Sequence, residues 1–282
     1  MKHVLVTGTS SGFGLVASVE LARRGWHVVA TMRDPAKSGP LATAAAAAGV
    51  ADRVRIESLD VTDPDAIAAA SRRTLDLTGG RLDAVVHNAG VAVGAAFEDL
   101  PEDAARRVME TNFWGVLGLT RAVLPTMRAQ RAGRILVVSS NSAYTGEPAN
   151  SIYCASKWAV EGWAESLAFE VEPWGVDVIL VEPGPYRTEI WNSSPRILPE
   201  GSAYEAYLRR VEAAVDRHVA ADARDPQEVA LAIADALEAR RPRFRYPVSP
   251  QARIGLLLRG ILPAKLHRRM VNRLLGLGGF RP

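Results

Sequence analysis

Residues 3–14 read HVLVTGTSSGFG, and this dozen decides the fold. A short β-branched run, His3 to Thr7, passes directly into a glycine-rich turn, Thr7 to Gly14, which opens a helix candidate over 13–24. Gly8 permits a turn with unusual dihedrals. Gly12 and Gly14 let a pyrophosphate and the helix approach the backbone closely, and the helix N-terminus offers free N–H groups and positive potential. The spacing is Gly-x-x-x-Gly-x-Gly, not the commoner Gly-x-Gly-x-x-Gly. A glycine-rich turn alone can be a mere connector. Its place between a first strand and a first helix points to a nucleotide site.

The same alternation continues along the chain. Strands are expected at 27–31, 54–59, 82–87, 134–139, 176–182 and 243–248, with helices at 36–48, 64–78, 102–131, 152–172 and 226–239. Near-continuous apolar strands separated by helices of this length imply βαβ units and a parallel sheet covered on both faces. The fold class is therefore α/β, a doubly wound parallel sheet. Residues 1–250 read as one nucleotide-binding and catalytic domain with no linker that would split off a second. Segment 185–225 breaks the alternation. It is rich in Pro, Trp, Tyr and charge, and following the sixth strand it would form a substrate lid over the carboxyl edge of the sheet.

Composition narrows the class. With 48% hydrophobic and 23% charged residues, the 282-residue chain has the make-up of a packed soluble protein. No stretch approaches the roughly 18 apolar residues of a membrane span. The start, MKHVLVTG, lacks the pattern of a secretory signal. One cysteine, Cys154, cannot form an intrachain disulfide and suits a reducing compartment, so the cytoplasm is the expected location. Five scattered histidines and no second cysteine argue against a metal site. The net charge of +3 hides an asymmetry: 11 basic and no acidic residues lie between Arg240 and Pro282, leaving the first 239 residues at −8. An acidic body argues against nucleic acid as a partner.

The end of the second strand bears on the nucleotide. An acidic residue there would accept from the ribose hydroxyls of NAD and repel a 2′-phosphate. Here Thr31 is followed by Met32, Arg33 and Asp34. A guanidinium is the preferred partner of a phosphate, and Ser10 can add a hydroxyl. Asp34 could neutralise Arg33 or bind ribose itself. NADP(H) is favoured, with NAD(H) the alternative.

At the reacting end, residues 151–158 read SIYCASKW. The chain has 30 arginines and four lysines, yet a lysine, Lys157, stands four residues after Tyr153. On a helix the pair shares one face. A free tyrosine titrates near 10, and a nearby ammonium favours the phenolate. Taken alone, the pair could be two amphipathic residues on a helix surface. Other polar groups fall in order at strand ends: His87-Asn88-Ala89-Gly90 after the fourth, Ser139-Ser140 after the fifth, Glu182-Pro183-Gly184 after the sixth, with Asn112 inside a helix.

Together these motifs resemble the short-chain dehydrogenase/reductase family over residues 2 to 248. They comprise Thr7-Gly8-x-x-x-Gly12-x-Gly14, Asp60, Asn88-Ala89-Gly90, Asn112, Ser140, Tyr153-x-x-x-Lys157 and Pro183-Gly184-x-x-x-Thr188. The resemblance implies a Rossmann fold and a catalytic set of Ser140, Tyr153, Lys157 and Asn112. Tyr153 would be the general acid/base and Ser140 would polarise the carbonyl. Lys157 would lower the tyrosine pKa and bind ribose, and Asn112 would hold a water in a proton relay. It implies a cofactor site of Gly8, Ser10, Ser11, Gly12, Phe13, Gly14, Arg33, Asp60, Val61, Asn88, Ala89, Gly90, Tyr153, Lys157, Pro183, Gly184 and Thr188. Asp60 and Asn88 would line the adenine side and Thr188 would meet the carboxamide. YCASKWAVEG and VEPGPYRTEI, with Glu182 where many members carry asparagine, are most similar to hydroxysteroid and retinol dehydrogenases. That implies a small hydrophobic carbonyl/alcohol substrate and a homodimer or homotetramer.

An epimerase or dehydratase of nucleotide sugars, or a non-catalytic nucleotide sensor, could use the same fold. The former usually carries Gly-x-x-Gly-x-x-Gly and a larger C-terminal domain, and an intact Ser140/Tyr153/Lys157/Asn112 set argues against the latter. Residues 251–282 form a basic amphipathic extension. After Pro263, Leu266, Met270, Val271 and Leu274 fall on one helix face and Lys265, Arg268, Arg269 and Arg273 elsewhere. The apolar face is expected to fold back over the substrate cleft or a subunit contact, with peripheral membrane contact as the alternative.

Overall fold

The structure, a computed structural model, describes residues 1–186, 194–222, 224–274 and 276–277. Seven strands lie side by side: β1 (Lys2–Thr7), β2 (Trp26–Met32), β3 (Val54–Ser58), β4 (Ala84–His87), β5 (Gly133–Val138), β6 (Val176–Glu182) and β7 (Arg245–Pro247). Their order is β3-β2-β1-β4-β5-β6-β7 and every pairing is parallel. Central strands are buried through most of their length, as a sheet covered on both faces requires.

Alternate side chains feed two cores. Val4, Val6, Leu136 and Ile179 face one layer, where α1 (Gly12–Arg23) and α8 (Gln227–Glu238) contribute Leu21 and Ile233. Leu5, Val85, Ile135 and Leu180 face the other, closed by α3 (Pro64–Leu77), α5 (Gly115–Gln130) and α6 (Ser151–Val171) through Ile67, Leu119 and Val160. Helix α2 (Gly39–Ala47) seals the first layer with Leu41 and Ala45.

The helix expected over 102–131 is one run broken at its middle. α4 (Glu102–Met109) passes through a π-helical turn, Glu110–Trp114, into α5. Such wide turns recur at functional sites, and this one contains Asn112. Beyond the sixth strand lie α7 (Glu205–Asp222) in the expected lid, then α9 (Pro250–Ile261) and α10 (Ala264–Leu274) in the expected tail. The sheet order reverses between β1 and β4, so their carboxyl ends form the crevice where ligands of open α/β sheets bind.

Candidate active site

The crevice at β1 and β4 is pinned by one hydroxyl. Thr7 Oγ1, at the end of β1, accepts from the backbone N–H groups of Asn88 and Ala89, both at 3.0 Å. In return the Asn88 amide donates to the carbonyls of Thr7 and Gly8, each at 2.9 Å. The glycine turn is drawn in so tightly that a Cβ on Gly14 would lie 2.3 Å from the Gly8 oxygen. Gly8 itself has φ +70° and no room for a side chain against Ala89. The start of α1 is thus bare backbone N–H, the arrangement that suits a pyrophosphate.

A cavity of about 340 Å³ follows from there. Of the expected cofactor residues it brings together Gly8, Ser10, Ser11, Gly12, Phe13, Arg33, Asp60, Val61, Asn88, Ala89 and Gly90. Asp60 accepts from the Thr62 N–H at 2.9 Å and its hydroxyl at 2.7 Å. Met32 is buried and Arg33 is exposed. Asp34 caps its own short helical turn by accepting from the Ala36 N–H at 3.0 Å, and among the described residues no ion pair holds Arg33. The two roles left open for Asp34 therefore have a competitor, the local cap. Thr188 lies outside the described residues.

A second cavity, of about 620 Å³, opens beside the first. Ser140, Tyr153, Pro183 and Gly184 line it, and Phe13 lines both cavities at their junction. Phe13 meets Tyr186 edge-on, with ring centroids 5.6 Å apart. The opposite wall comes from α7, α9 and α10 through Leu208, Val211, Ile254, Leu258, Met270 and Val271. Part of the tail thus folds over the cleft. Leu266, expected on the same apolar face, is 48% exposed, and the side chain of Leu274 lies outside the described residues.

The tail is fastened at its root. Ser249 caps α9 by accepting from the Ala252 N–H at 3.0 Å, and a Cβ on Gly184 would lie 2.4 Å from its Oγ. Tyr144 donates to the Ala252 carbonyl at 2.8 Å.

Lys157 and Asn112 stand behind the cavities, both almost wholly buried. A Cβ on Gly90 would lie 3.4 Å from Asn112 Oδ1 and 4.0 Å from Lys157 Nζ, so the three share one corner. Asn112 accepts from the Val91 N–H and donates to the Val91 carbonyl, both at 2.9 Å, and donates to Ser156 Oγ at 3.0 Å. Its side chain therefore clamps the loop after β4 to α6. Lys157 donates to the Val138 carbonyl at 3.0 Å, with its nitrogen 5.8 Å from the Tyr153 ring centroid.

Burial dominates the electrostatics. It lowers Lys157 to about 8, against an opposing pull from Glu161 one turn further along α6. Burial raises the Tyr153 phenol well above its usual range; Ser140 pulls it down and Glu147 pushes it up further. The expected depression of the tyrosine by Lys157 is not among these influences. Glu147 is itself raised, by burial. Behind Ser139, Arg245 meets three acids: Glu161 at 2.5 Å, Glu182, and Glu165 at 3.9 Å. Ser139 donates to Glu161 at 2.6 Å. Burial and Glu161 push Glu182 up to about 7.

Several site residues were not legible in the sequence. Thr7 stands in the glycine-turn motif, but its role as the pin described above did not show there. Arg107 and Thr111 reach the first cavity from α4 and the π turn. Glu147 and Ser142 line the second cavity in a loop that carried no motif.

Comparison with known proteins agrees with this geometry. The sequence profile of the family described as short chain dehydrogenase matches residues 2–196. Retinol dehydrogenase 8 of Bos taurus is 37% identical over 257 residues, covering 86% of this chain and 80% of that one. The 17-beta-hydroxysteroid dehydrogenase type 1 of Homo sapiens is 37% identical over 252 residues, covering 86% and 76%. A metagenomic short-chain oxidoreductase solved in complex with NADP superposes with a TM-score of 0.68 at 27% identity, covering 86% of this chain and 95% of that one. The chain belongs to the short-chain dehydrogenase/reductase family of oxidoreductases, and within it to the hydroxysteroid/retinol dehydrogenase-like type.

Proposed function

We propose that this chain is an NADP(H)-dependent oxidoreductase that interconverts a hydrophobic ketone or aldehyde and its alcohol. One observation carries the reading: Ser140 and Tyr153 open into a largely apolar cavity of about 620 Å³ that meets the nucleotide cleft at Phe13. Nicotinamide, when bound, supplies or takes up the hydride. The glycine turn and the N-terminus of α1 would hold the pyrophosphate, and Arg33 with Ser10 the 2′-phosphate. Arg33, held by no ion pair among the described residues, Asp34 Oδ1 engaged by the Ala36 N–H, and the NADP bound by the metagenomic relative support NADP(H) over NAD(H).

In this reading Tyr153 exchanges a proton with the substrate oxygen and Ser140 donates a hydrogen bond to it. Lys157 serves the ribose, and Asn112 holds the loop that frames Lys157. Burial raises the Tyr153 phenol further above its ordinary range, so at neutral pH it carries the proton that a substrate oxygen would take. Oxidation of NADPH, followed by absorbance against alicyclic and aromatic ketones and aldehydes of rising apolar area, tests the function. Turnover that rises with apolar area is expected, and faster than with NADH. No turnover across the panel would remove the proposal.

Two further features extend it. The outer side of α9 and α10 exposes Leu257, Ile261 and Leu266 beside Arg253, Lys265, Arg268 and Arg269. Apolar side chains with only basic charge fit an anionic lipid surface, while the inner side walls the cavity. No described helix is long and apolar enough to cross a membrane. Trp114 in the π turn and Phe169 on α6 are exposed by 53% and 74%, which supports self-association through this side of the sheet. A monomeric mass by sedimentation at micromolar concentration would remove that part.

A further inference from the structure

A hydrogen-bonded line leads away from the reacting end. Ser140 Oγ lies 3.1 Å from Ser142 Oγ, which lies 3.0 Å from Glu147 Oε1. The other carboxyl oxygen, Oε2, accepts from the Asn150 amide at 3.2 Å. The Ser142 N–H also donates to Ser140 Oγ, at 3.1 Å. Among the described residues no ion pair holds Glu147, although it lines the cavity beside Tyr153.

We propose that Glu147 is a positioning residue which, through Ser142, sets the direction in which the Ser140 hydroxyl hydrogen points. Each serine owns one hydrogen. When Glu147 is ionised it can only accept, so Ser142 gives its hydrogen to Oε1. Ser142 is then an acceptor, and Ser140 turns its own hydrogen back toward Ser142. When Glu147 is protonated the line reverses. The carboxyl donates to Ser142, Ser142 donates to Ser140, and the Ser140 hydrogen leaves Ser142 for Asn141 Oδ1, 3.2 Å away, or for a carbonyl oxygen in the cavity. No bond other than hydrogen bonds changes, and the proton on Glu147 is not consumed.

The surroundings favour the protonated form. The titratable groups facing Glu147 are Tyr153 and Cys154 on α6 and Tyr144 on the preceding turn. Across the cavity stand Arg196, paired with Asp216 at 2.9 Å, and Glu212 on α7. None of these is a cation in contact with the carboxyl. Burial without a counter-charge disfavours the carboxylate, and the Glu147 pKa is raised accordingly. The inference rests on Ser140 being the donor to the substrate oxygen.

The test compares full-length wild type with Glu147→Gln and Ser142→Ala. Infrared difference spectra of wild type minus Glu147→Gln, recorded across pH without substrate, should show a protonated-carboxyl C=O stretch that persists above the ordinary carboxylate range. Glu182, raised to about 7, contributes a second such band that both variants keep; the Glu147 component should be missing in Glu147→Gln and displaced in Ser142→Ala. With the best ketone of the panel at saturating NADPH, wild-type kcat should fall by about a hundred-fold as the Glu147 component disappears, the cost of one lost oxyanion donor. Glu147→Gln can still donate to Ser142 from its Nε2 while its Oε1 accepts from Asn150. It should therefore turn over at the alkaline pH where the wild type has stopped. An identical pH profile in wild type and Glu147→Gln would overturn the inference. So would the absence of the Glu147 component above the ordinary carboxylate range, or its indifference to Ser142→Ala. If the wild type reduces no ketone, the proposed function fails, and the infrared comparison still decides whether Ser142 and Glu147 are coupled.

Discussion

Lys157 Nζ donates to the carbonyl oxygen of Val138 at 3.0 Å, at the point where β5 ends and the loop of Ser139 and Ser140 begins. Burial has lowered this amine from 10.5 to about 8. Between those values the folded chain holds it neutral and the unfolded chain holds it charged, so stability is gained as pH rises from 8. Relative to Lys157→Met, which cannot titrate, wild-type stability should improve by about 2 kcal/mol between pH 8 and 10. Urea unfolding at both pH values measures the difference. A gap that stays constant would mean that the amine titrates as it does in water.

Gly184 sets the seat of the tail. A methyl group there would displace Ser249 Oγ from its cap on α9. Gly184→Ala should cost about 1 kcal/mol, the usual worth of a helix cap. It should raise KM for apolar substrates and leave NADPH binding, followed by fluorescence, unchanged. Loss of NADPH binding would place the effect in the nucleotide cleft instead.

Cofactor choice should reside in the turn after β2. Met32→Asp places a carboxylate at the ribose and against a 2′-phosphate, next to Asp34, whose Oδ1 caps the following turn. The ratio of kcat/KM for NADPH to that for NADH should fall by at least ten-fold, equivalent to about 1.4 kcal/mol. An unchanged ratio would shift the choice to another residue, with Asp34 the first to examine.

The tail should sediment with lipid. Full-length protein should bind anionic but not neutral liposomes, less so at high salt, and a 1–250 truncation should not bind. Failure of the full-length protein to bind, with loss of solubility on truncation, would leave the tail as a wall of the cavity alone.

The strand–helix alternation and the nucleotide end were legible because their signals are local. His3–Thr7 and its glycine turn specify strand, turn and helix within a dozen residues. Tyr153 and Lys157 sit one helical turn apart, so spacing alone placed them together. What the sequence hid depends on distant contacts. Thr7 pins residues more than 80 positions away, and Asn112 spends its side chain on Val91 and Ser156. The π turn adds one wide turn to a helix whose pattern looked continuous from 102 to 131. Glu147 reads as a loop acid until Ser142 and Asn150 are seen to hold it inside the cavity. Leu266 marks the limit of helical periodicity: it shares a face with Met270, yet the fold leaves it exposed.

Tyr153→Phe bears most directly on the central claim. The phenol lines the apolar cavity and its ring is packed beside Lys157, so removing one oxygen spares the packing and deletes the proton. With saturating NADPH and the best ketone, kcat should fall by about 10²–10⁴-fold, the usual contribution of a positioned acid. The Kd for NADPH should stay within about two-fold, since less than 0.5 kcal/mol of binding is at stake. A variant that turns over at a near wild-type rate would contradict the assignment of Tyr153, and with it the proposed chemistry of the site.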